Sequence, residues 1–408
     1  MSEIPRKIPI DKDLRPAYYD EFRCLAENCR YSCCRGWWIT FDKKDYLALK
    51  RQKGSPELDA GMENGVRRVR KGPLAASFYG EFNMERGVCP LLQEDGLCRL
   101  QLEKGHASLP QVCRIYPRGE AHMPSGCLER SLSPSCEAVL ALLWDLPEGI
   151  EFHQDPLPER ERKSVIVTAD GPMPLWFSAV RDWCVDLLQN RNHSLSQRIW
   201  LMGLGLKELA DGETDIQRWM KRAALLPVSV GPSALRPAGD SETAMFLSSC
   251  IRILLGIQNN DPALLPVRTQ VLEALELKPD EGDGTLTVPL KPYRRASARF
   301  SEQFRDREYF MENLMVSVFF HLRMPQMASG EELWKGYVNF CNLFAFFRFM
   351  SVMSCREGAS GDKEELFRMV VFASRALIHD NQRQSRFRDE LFKNDSATLA
   401  HMAILLGG

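Results

Sequence analysis

From residue 175 to the C-terminus, apolar positions recur at the three- and four-residue spacing of amphipathic helices, broken by Gly, Pro, Asn and Asp. The pattern predicts helices over 175–190, 195–210, 214–225, 242–258, 263–276, 297–323, 331–356, 363–379 and 396–406. Met311, Leu314, Met315, Val318, Phe319 and Leu322 form one stripe, so the segment ending at Pro325 is expected to pack into a core. Asn313, Ser317 and His321 recur every four residues on another face, beside Glu312. The next helix carries Asn339 and Asn342 among Phe340, Phe344, Phe346, Phe347 and Phe349. A buried amide without a partner costs roughly 1–3 kcal/mol. These amides therefore imply either a satisfied hydrogen-bond network or the polar floor of a pocket.

The first 150 residues read differently. Gly, Pro and Cys interrupt every pattern, leaving short helices near 42–53, 57–70 and 134–145. A turn at Glu94-Asp95-Gly96 brings Cys89 and Cys98 within reach of one another, and a helix from Arg99 is ended by Gly105. In "LSPSCEAVLALLWDL", Ser133 reads as an N-cap and Pro134 as the first helical residue. That places Cys136 in the first turn, where the helix dipole favours thiolate. Residues 151–172 have the Pro and charge content of a connection. The expected architecture is mainly α: a loop-rich, cysteine-rich module over 1–150 that binds a metal or cluster, a linker over 151–172, and a multi-helix domain over 173–408.

Composition narrows the partners. A chain of 408 residues with a net charge of −1 has no bulk attraction for nucleic acid or anionic lipid. The N-terminal "MSEIPRKIPIDKDLRP" lacks the apolar core of an export signal, and the most apolar stretch, 338–355, is interrupted by Asn339, Asn342 and Arg348. A cytoplasmic protein with no membrane and no nucleic-acid partner is expected. The basic runs at 67–71 and 293–308 read as solvated faces or as contacts for an acidic partner.

In a reducing compartment the thirteen cysteines are not expected to be disulfides, and their distribution is uneven. Cys184, Cys250, Cys341 and Cys355 sit singly on apolar helical patterns, as small core residues do. The other nine, Cys24, Cys29, Cys33, Cys34, Cys89, Cys98, Cys113, Cys127 and Cys136, precede residue 137. The spacings C-x4-C-x3-C-C, C-P-x7-C and C-x2-Y-P-R offer soft ligands for one or two tetrahedral sites, holding zinc or an iron–sulfur cluster. Only His106 and His122 lie near them, neither at a zinc-finger spacing. Cys33 and Cys34 are adjacent, so their side chains are expected to diverge, leaving one for a second site or none. Trp37, Trp38, Ile39 and Tyr116 suit an apolar shell around the centre, or a plain core.

Taken together, "FRCLAENCRYSCCRGWWITFD", "CPLLQEDGLCRLQ", "LPQVCRIYPR", "SLSPSCEAV" and "YFMENLMVSVFFHLRMP" resemble the flagellin lysine-N-methylase family over nearly the whole chain. The resemblance implies an enzyme that transfers methyl groups from S-adenosylmethionine to lysine side chains of flagellin in the bacterial cytoplasm, with an associated [4Fe–4S] cluster. It also carries a candidate ligand role onto Cys24, Cys29, Cys33, Cys34, Cys89, Cys98, Cys113 and Cys136. No G-x-G-x-x-G follows a predicted strand, and the third position of a C-x3-C-x2-C triplet is Gly36, so neither a Rossmann-like nor a radical methyl-donor site is read here. The lysine must lose a proton, against an ordinary pKa of about 10.4. Candidate catalytic residues are Tyr18, Tyr19, Tyr116 and Glu312; Trp37, Trp38 and Asn313 are candidates for holding the methyl donor. The alternatives are a non-catalytic iron–sulfur or zinc carrier, or a zinc-stapled structural domain.

Overall fold

The computed structural model describes residues 6–71, 77–123, 125–167, 177–231, 235, 238–257, 261–279, 286–325 and 329–407. The fold is mainly α. The N-terminal third contributes strands β1 (Arg6–Ile10), β2 (Lys12–Pro16), β3 (Thr40–Phe41), β4 (Val66–Arg68), β5 (Gly80–Phe82), β6 (Arg118–His122) and β7 (Cys127–Leu132). Its helices are short: α1 (Lys43–Lys50), α2 (Pro56–Gly65), α3 (Arg99–Lys104), α4 (Gln111–Ile115) and α5 (Glu137–Trp144). Then come β8 (Phe152–Pro156) and β9 (Lys163–Val167), followed by α6 (Phe177–Leu188), α7 (Leu195–Ala210), α8 (Ile216–Ala223), α9 (Leu226–Ser229) and α10 (Asp240–Leu255). The chain continues through α11 (Leu265–Ala274), α12 (Leu290–Gln303), α13 (Tyr309–His321), α14 (Gly330–Met353), α15 (Lys363–Leu377), α16 (Asn381–Lys393) and α17 (Leu399–Gly407).

Local chemistry explains most of these boundaries. Helix α7 begins where Ser194 and Gln197 satisfy each other's backbone N–H groups in a capping box. Helix α3 stops at Gly105, whose φ of +80° few other residues adopt. The single helix expected over 297–323 is two, α12 and α13, because the chain turns at Phe304 and puts that ring 6.0 Å from Trp144. Helix α16 escaped the periodicity, since "NQRQSRFRDELFK" offers only Phe387, Leu391 and Phe392 as apolar signal.

Residues 151–167 are not a free connection. Strand β8 pairs antiparallel with β2, at the edge of the sheet β6-β7-β2-β8, and β9 pairs with β1. Pro and charge, read as linker signals, are also what an edge strand tolerates. The remainder of the expected linker, 168–172, lies outside the described residues.

The main core spans both ends of the chain. Tyr18, Tyr31, Leu132, Val139, Leu140 and Leu143 pack in one cluster with the helices from α6 onward, including the stripe residues Leu314, Met315, Val318 and Phe319. A second, smaller core gathers Ile39, Phe41, Leu49, Leu58, Met62, Phe82, Leu91 and Leu100, with Cys34, Trp37, Cys98 and Cys113 packed against it. Among the described residues no helix is long and apolar enough to cross a membrane.

Candidate functional site

The thiols meet where the small core abuts the helices. Residues Ser32 to Arg35 form a turn closed by Arg35 N–H donating to Ser32 O at 3.2 Å, so Cys33 and Cys34 occupy its corner. Corner residues need not point apart. The two thiols lie within electrostatic reach of each other. The chain then runs beside residues 87–89, with Gly36 N–H donating to Gly87 O at 2.8 Å and Cys89 N–H to Cys34 O at 2.9 Å. That pairing brings the Cys89 thiol within electrostatic reach of Cys34. The Glu94-Asp95-Gly96 turn forms as expected, Gly96 adopting φ +84°, and a bridge between Leu92 and Cys98 returns the latter thiol to the group.

Two further segments close in. Buried Glu137, the first residue of α5, accepts from Arg30 N–H at 2.9 Å and Arg30 Nε–H at 2.6 Å, drawing the Cys29 loop onto the start of that helix. Cys33 lies within electrostatic reach of Cys29, Cys98, Cys113 and Cys136. Each of seven candidate thiols, Cys29, Cys33, Cys34, Cys89, Cys98, Cys113 and Cys136, is thus within electrostatic reach of at least one other. Cys24 is exposed, with Cys29 in electrostatic reach, and Cys127 lies on β7 beside Gln154. Cys184, Cys250, Cys341 and Cys355 are buried in the helical core.

Among the described residues no three His, Cys, Asp or Glu side chains are spaced as a metal-holding group. The donors are gathered but not set around an ion. Thiols are the soft donor type that a thiolate-bound centre takes. Burial pushes the Cys29 thiol up to about 11 and the Cys136 thiol up to about 12. The Cys33 thiol is raised well above its ordinary value by the adjacent Cys34 thiol and then by burial. For Cys136 this reverses the expectation of a favoured thiolate. Helix α5 starts at Glu137, Cys136 is its N-cap, and backbone N–H groups of Val139 and Ala138 do not offset the burial.

Aromatic and polar side chains cover one side of the group. Trp37 Nε1–H donates to Cys33 O at 2.8 Å, and its ring stands edge-on to Tyr116 at 5.2 Å and to His379 at 4.8 Å. The Arg375 guanidinium lies 4.8 Å from the Trp37 ring centre. Trp38 gives no such cover. It is 68% exposed, because the extended chain alternates and turns Ile39 and Phe41 inward instead. A hydrogen-bonded row runs from the Tyr116 hydroxyl to Ser135 Oγ at 3.0 Å and on to His379 Nε2 at 2.7 Å. Packing against Trp37 and Ser135, then the charges of His321 and Arg375, lower the His379 imidazole below its ordinary value, while the residue keeps one exposed side. Burial raises Tyr116 far above its ordinary value, so it is a phenol and not a tyrosinate base.

The remaining candidates sit elsewhere. Tyr18 is buried, donates to Ser317 Oγ at 3.0 Å, and is pushed up to about 12 by burial. Burial likewise raises Tyr19, whose ring faces Arg118. Glu312 is held by Arg191 at 2.9 Å and Arg198 at 2.5 Å, as an ion-pair partner and not an open base. Asn313 Nδ2 donates to Leu143 O and Leu146 O, covering the C-terminal carbonyls of α5. The polar face of α13 thus docks its neighbours. Asn339 donates to Gln384 at 2.7 Å, a structural partner. A cavity of about 270 Å³ between α10 and α17, lined by Met245, Arg252, His401 and Leu405 among others, includes neither Asn339 nor Asn342.

Sequence reasoning missed Glu137, Asp261, Arg375 and His379. Arg375 carried one signal, a charge on an otherwise apolar helical stripe with Val371, Phe372 and Ile378. His379 carried none, because only tertiary packing brings it to Trp37.

The profile of the FliB lysine N-methylase C-terminal domain matches residues 181–405, more than half of the chain. A lysine-N-methylase of Salmonella choleraesuis (strain SC-B67) is 27% identical over 201 residues, covering 46% of this chain and 45% of that protein. The lysine-N-methylase of Salmonella typhimurium (strain LT2) is 28% identical over 196 residues, with the same coverage. The flagellar biosynthetic protein FliU of Salmonella muenchen is 31% identical over 140 residues, 33% of this chain and 78% of that protein. The chain spans about half the length of the lysine-N-methylases it matches. No solved structure matches it.

Proposed function

Because the chain belongs to the FliB lysine N-methylase family, we propose that it is a protein-lysine N-methyltransferase acting in the cytoplasm, with S-adenosylmethionine as donor and flagellin as substrate. The family match over 181–405 carries this reading, and the flagellar name of a relative supports the substrate. The proposed organisation keeps a cysteine-rich part, up to about residue 150, and a helical part beyond 172, with the substrate lysine entering where Trp37 and Tyr116 meet Arg375.

The chemistry asks for a neutral amine. Its lone pair attacks the sulfonium methyl, the carbon–sulfur bond breaks with its electrons going to sulfur, and S-adenosylhomocysteine leaves. Free lysine, with a pKa of about 10.4, is almost wholly charged at neutral pH. Burial lowers that value, and the corner offers it, with Trp37 half-buried and Arg375 buried; the Arg375 charge itself is balanced by Asp261 at 2.6 Å. Aromatic faces also stabilise a sulfonium. Tyr116, Ser135 and His379 provide a hydrogen-bonded path for the released proton, which leaves to solvent at the exposed His379.

The thiols of Cys29, Cys33, Cys34, Cys89, Cys98, Cys113 and Cys136 would supply the ligands of a [4Fe–4S] cluster, or of zinc. When bound, such a centre would supply a rigid tie between the loops that carry these thiols. The thiol group taken alone favours the second reading, a metal or cluster carrier without catalysis. Incubating the protein with S-adenosylmethionine and unmodified flagellin separates the two. Methyl-sized mass increments on lysine peptides are expected; protein that holds metal but never adds a methyl group supports the carrier.

A further inference from the structure

We propose that Arg375 is the positioning residue through which the family-defining helices set the conformation of the cysteine loop. The loop from Cys29 to Trp37 carries three of the seven thiols and contains no helix or strand. Its shape depends on side-chain ties. Glu137 holds Arg30, and Trp37 Nε1–H and Ser32 Oγ hold Cys33 O and Cys34 N–H within the loop. From the helical part, three backbone ties converge on Arg375 near the end of α15. Its guanidinium donates to Tyr31 O, to Ser32 O at 3.2 Å and to Arg35 O at 3.4 Å, and lies 4.8 Å from the Trp37 ring centre. These carbonyls flank the turn that presents Cys33 and Cys34.

The charge is balanced from behind. Asp261, fully buried, accepts from Arg375 Nη1 at 2.6 Å. Gly36 crosses directly over this ion pair, since a Cβ there would stand 2.6 Å from Asp261 Cβ and the backbone adopts φ +87°. A planar fork of five donors can hold three carbonyls and a carboxylate at once, whereas a lysine ammonium has three donors at one point. Arginine is therefore required by geometry, beyond its charge. The consequence for metal binding rests on the proposed thiol-bound centre; the loop geometry does not.

The test uses the full-length protein as purified under anaerobic conditions. Timed maleimide labelling, read peptide by peptide by mass spectrometry, compares wild type, Arg375→Lys, Arg375→Gln and Gly36→Ala, with Cys250 as the buried control. In both Arg375 variants, labelling at Cys33 and Cys34 is expected to rise about tenfold, the scale of one or two lost hydrogen bonds, while Cys250 stays protected. Gly36→Ala forces the loop away from Asp261 without touching Arg375 and is expected to reproduce the rise, which keeps the test informative should Arg375 variants fold poorly. Unchanged labelling at Cys33 and Cys34 in folded Arg375→Lys overturns the proposal. An equal rise at Cys250 also overturns it, because the effect would then be global loosening. Metal analysis of the same samples is read separately. If wild type holds no metal but the labelling differs, the centre fails and the positioning role stands.

Discussion

Replacing Glu312 tests whether this carboxylate is catalytic, as the sequence suggested, or structural, as its contacts indicate. Its side chain is 4% exposed and is shared between Arg191, 42% exposed, and Arg198, 8% exposed. Removing one partner of a fully buried pair costs about 3–5 kcal/mol. The Arg191 contribution is small, because that guanidinium hydrates once released. Arg198 retains His193 O and Leu188 O, each at 2.7 Å, so its charge is not stranded. We therefore expect Glu312→Ala to destabilise by about 2–4 kcal/mol, and Glu312→Gln, which keeps one acceptor, by about 1–2 kcal/mol less. Guanidinium unfolding followed by circular dichroism reads the shift in midpoint, and methyl transfer is compared per folded molecule at a temperature below both transitions. A Glu312→Gln protein as stable as wild type but inactive would refute the structural reading.

Trp38→Ala is expected to change stability by no more than about 0.5 kcal/mol, whereas Trp37→Ala, which empties space between Tyr116 and His379, should cost about 3 kcal/mol; thermal melts compare them. Burial depresses His321 to about 4, from an ordinary 6.5. The unfolded chain then binds a proton that the folded one refuses, so the contribution is whole above pH 6.5 and falls as pH drops toward 4, with a slope of up to about 1.4 kcal/mol per pH unit. His321→Gln should flatten that slope in denaturation midpoints measured across pH 4–7, and an unchanged slope counts against the burial argument. Cys113→Ser should lower the metal content of anaerobically purified protein while Cys250→Ser does not, read by elemental analysis; equal losses would dissolve the distinction between junction and core thiols.

The helical part was legible because its signals are local. Periodicity placed α7 at 195–210, where it lies, and the stripe from Met311 to Leu322 marked α13 as a core helix. What lay hidden is long-range. Strands β8 and β9 owe their existence to partners more than 130 residues earlier, and no periodicity in "FHQDP" announces that. The gathering of thiols was readable from cysteine density. Their relation to the helices was not, because Glu137 and Arg375 act on backbone carbonyls and N–H groups, which leave no trace in side-chain spacing. Glu312 and Asn313 misled for a related reason: a polar row on an apolar helix shows that partners exist, not whether they are substrate or neighbouring chain.

The proposal most directly open to test is that thiols from four separate segments would hold one inorganic centre. X-ray absorption at the iron and zinc edges of the full-length protein, purified without exposure to air, reads the first coordination shell directly. The account predicts a shell dominated by sulfur at thiolate distance; a metal surrounded by nitrogen and oxygen would contradict it.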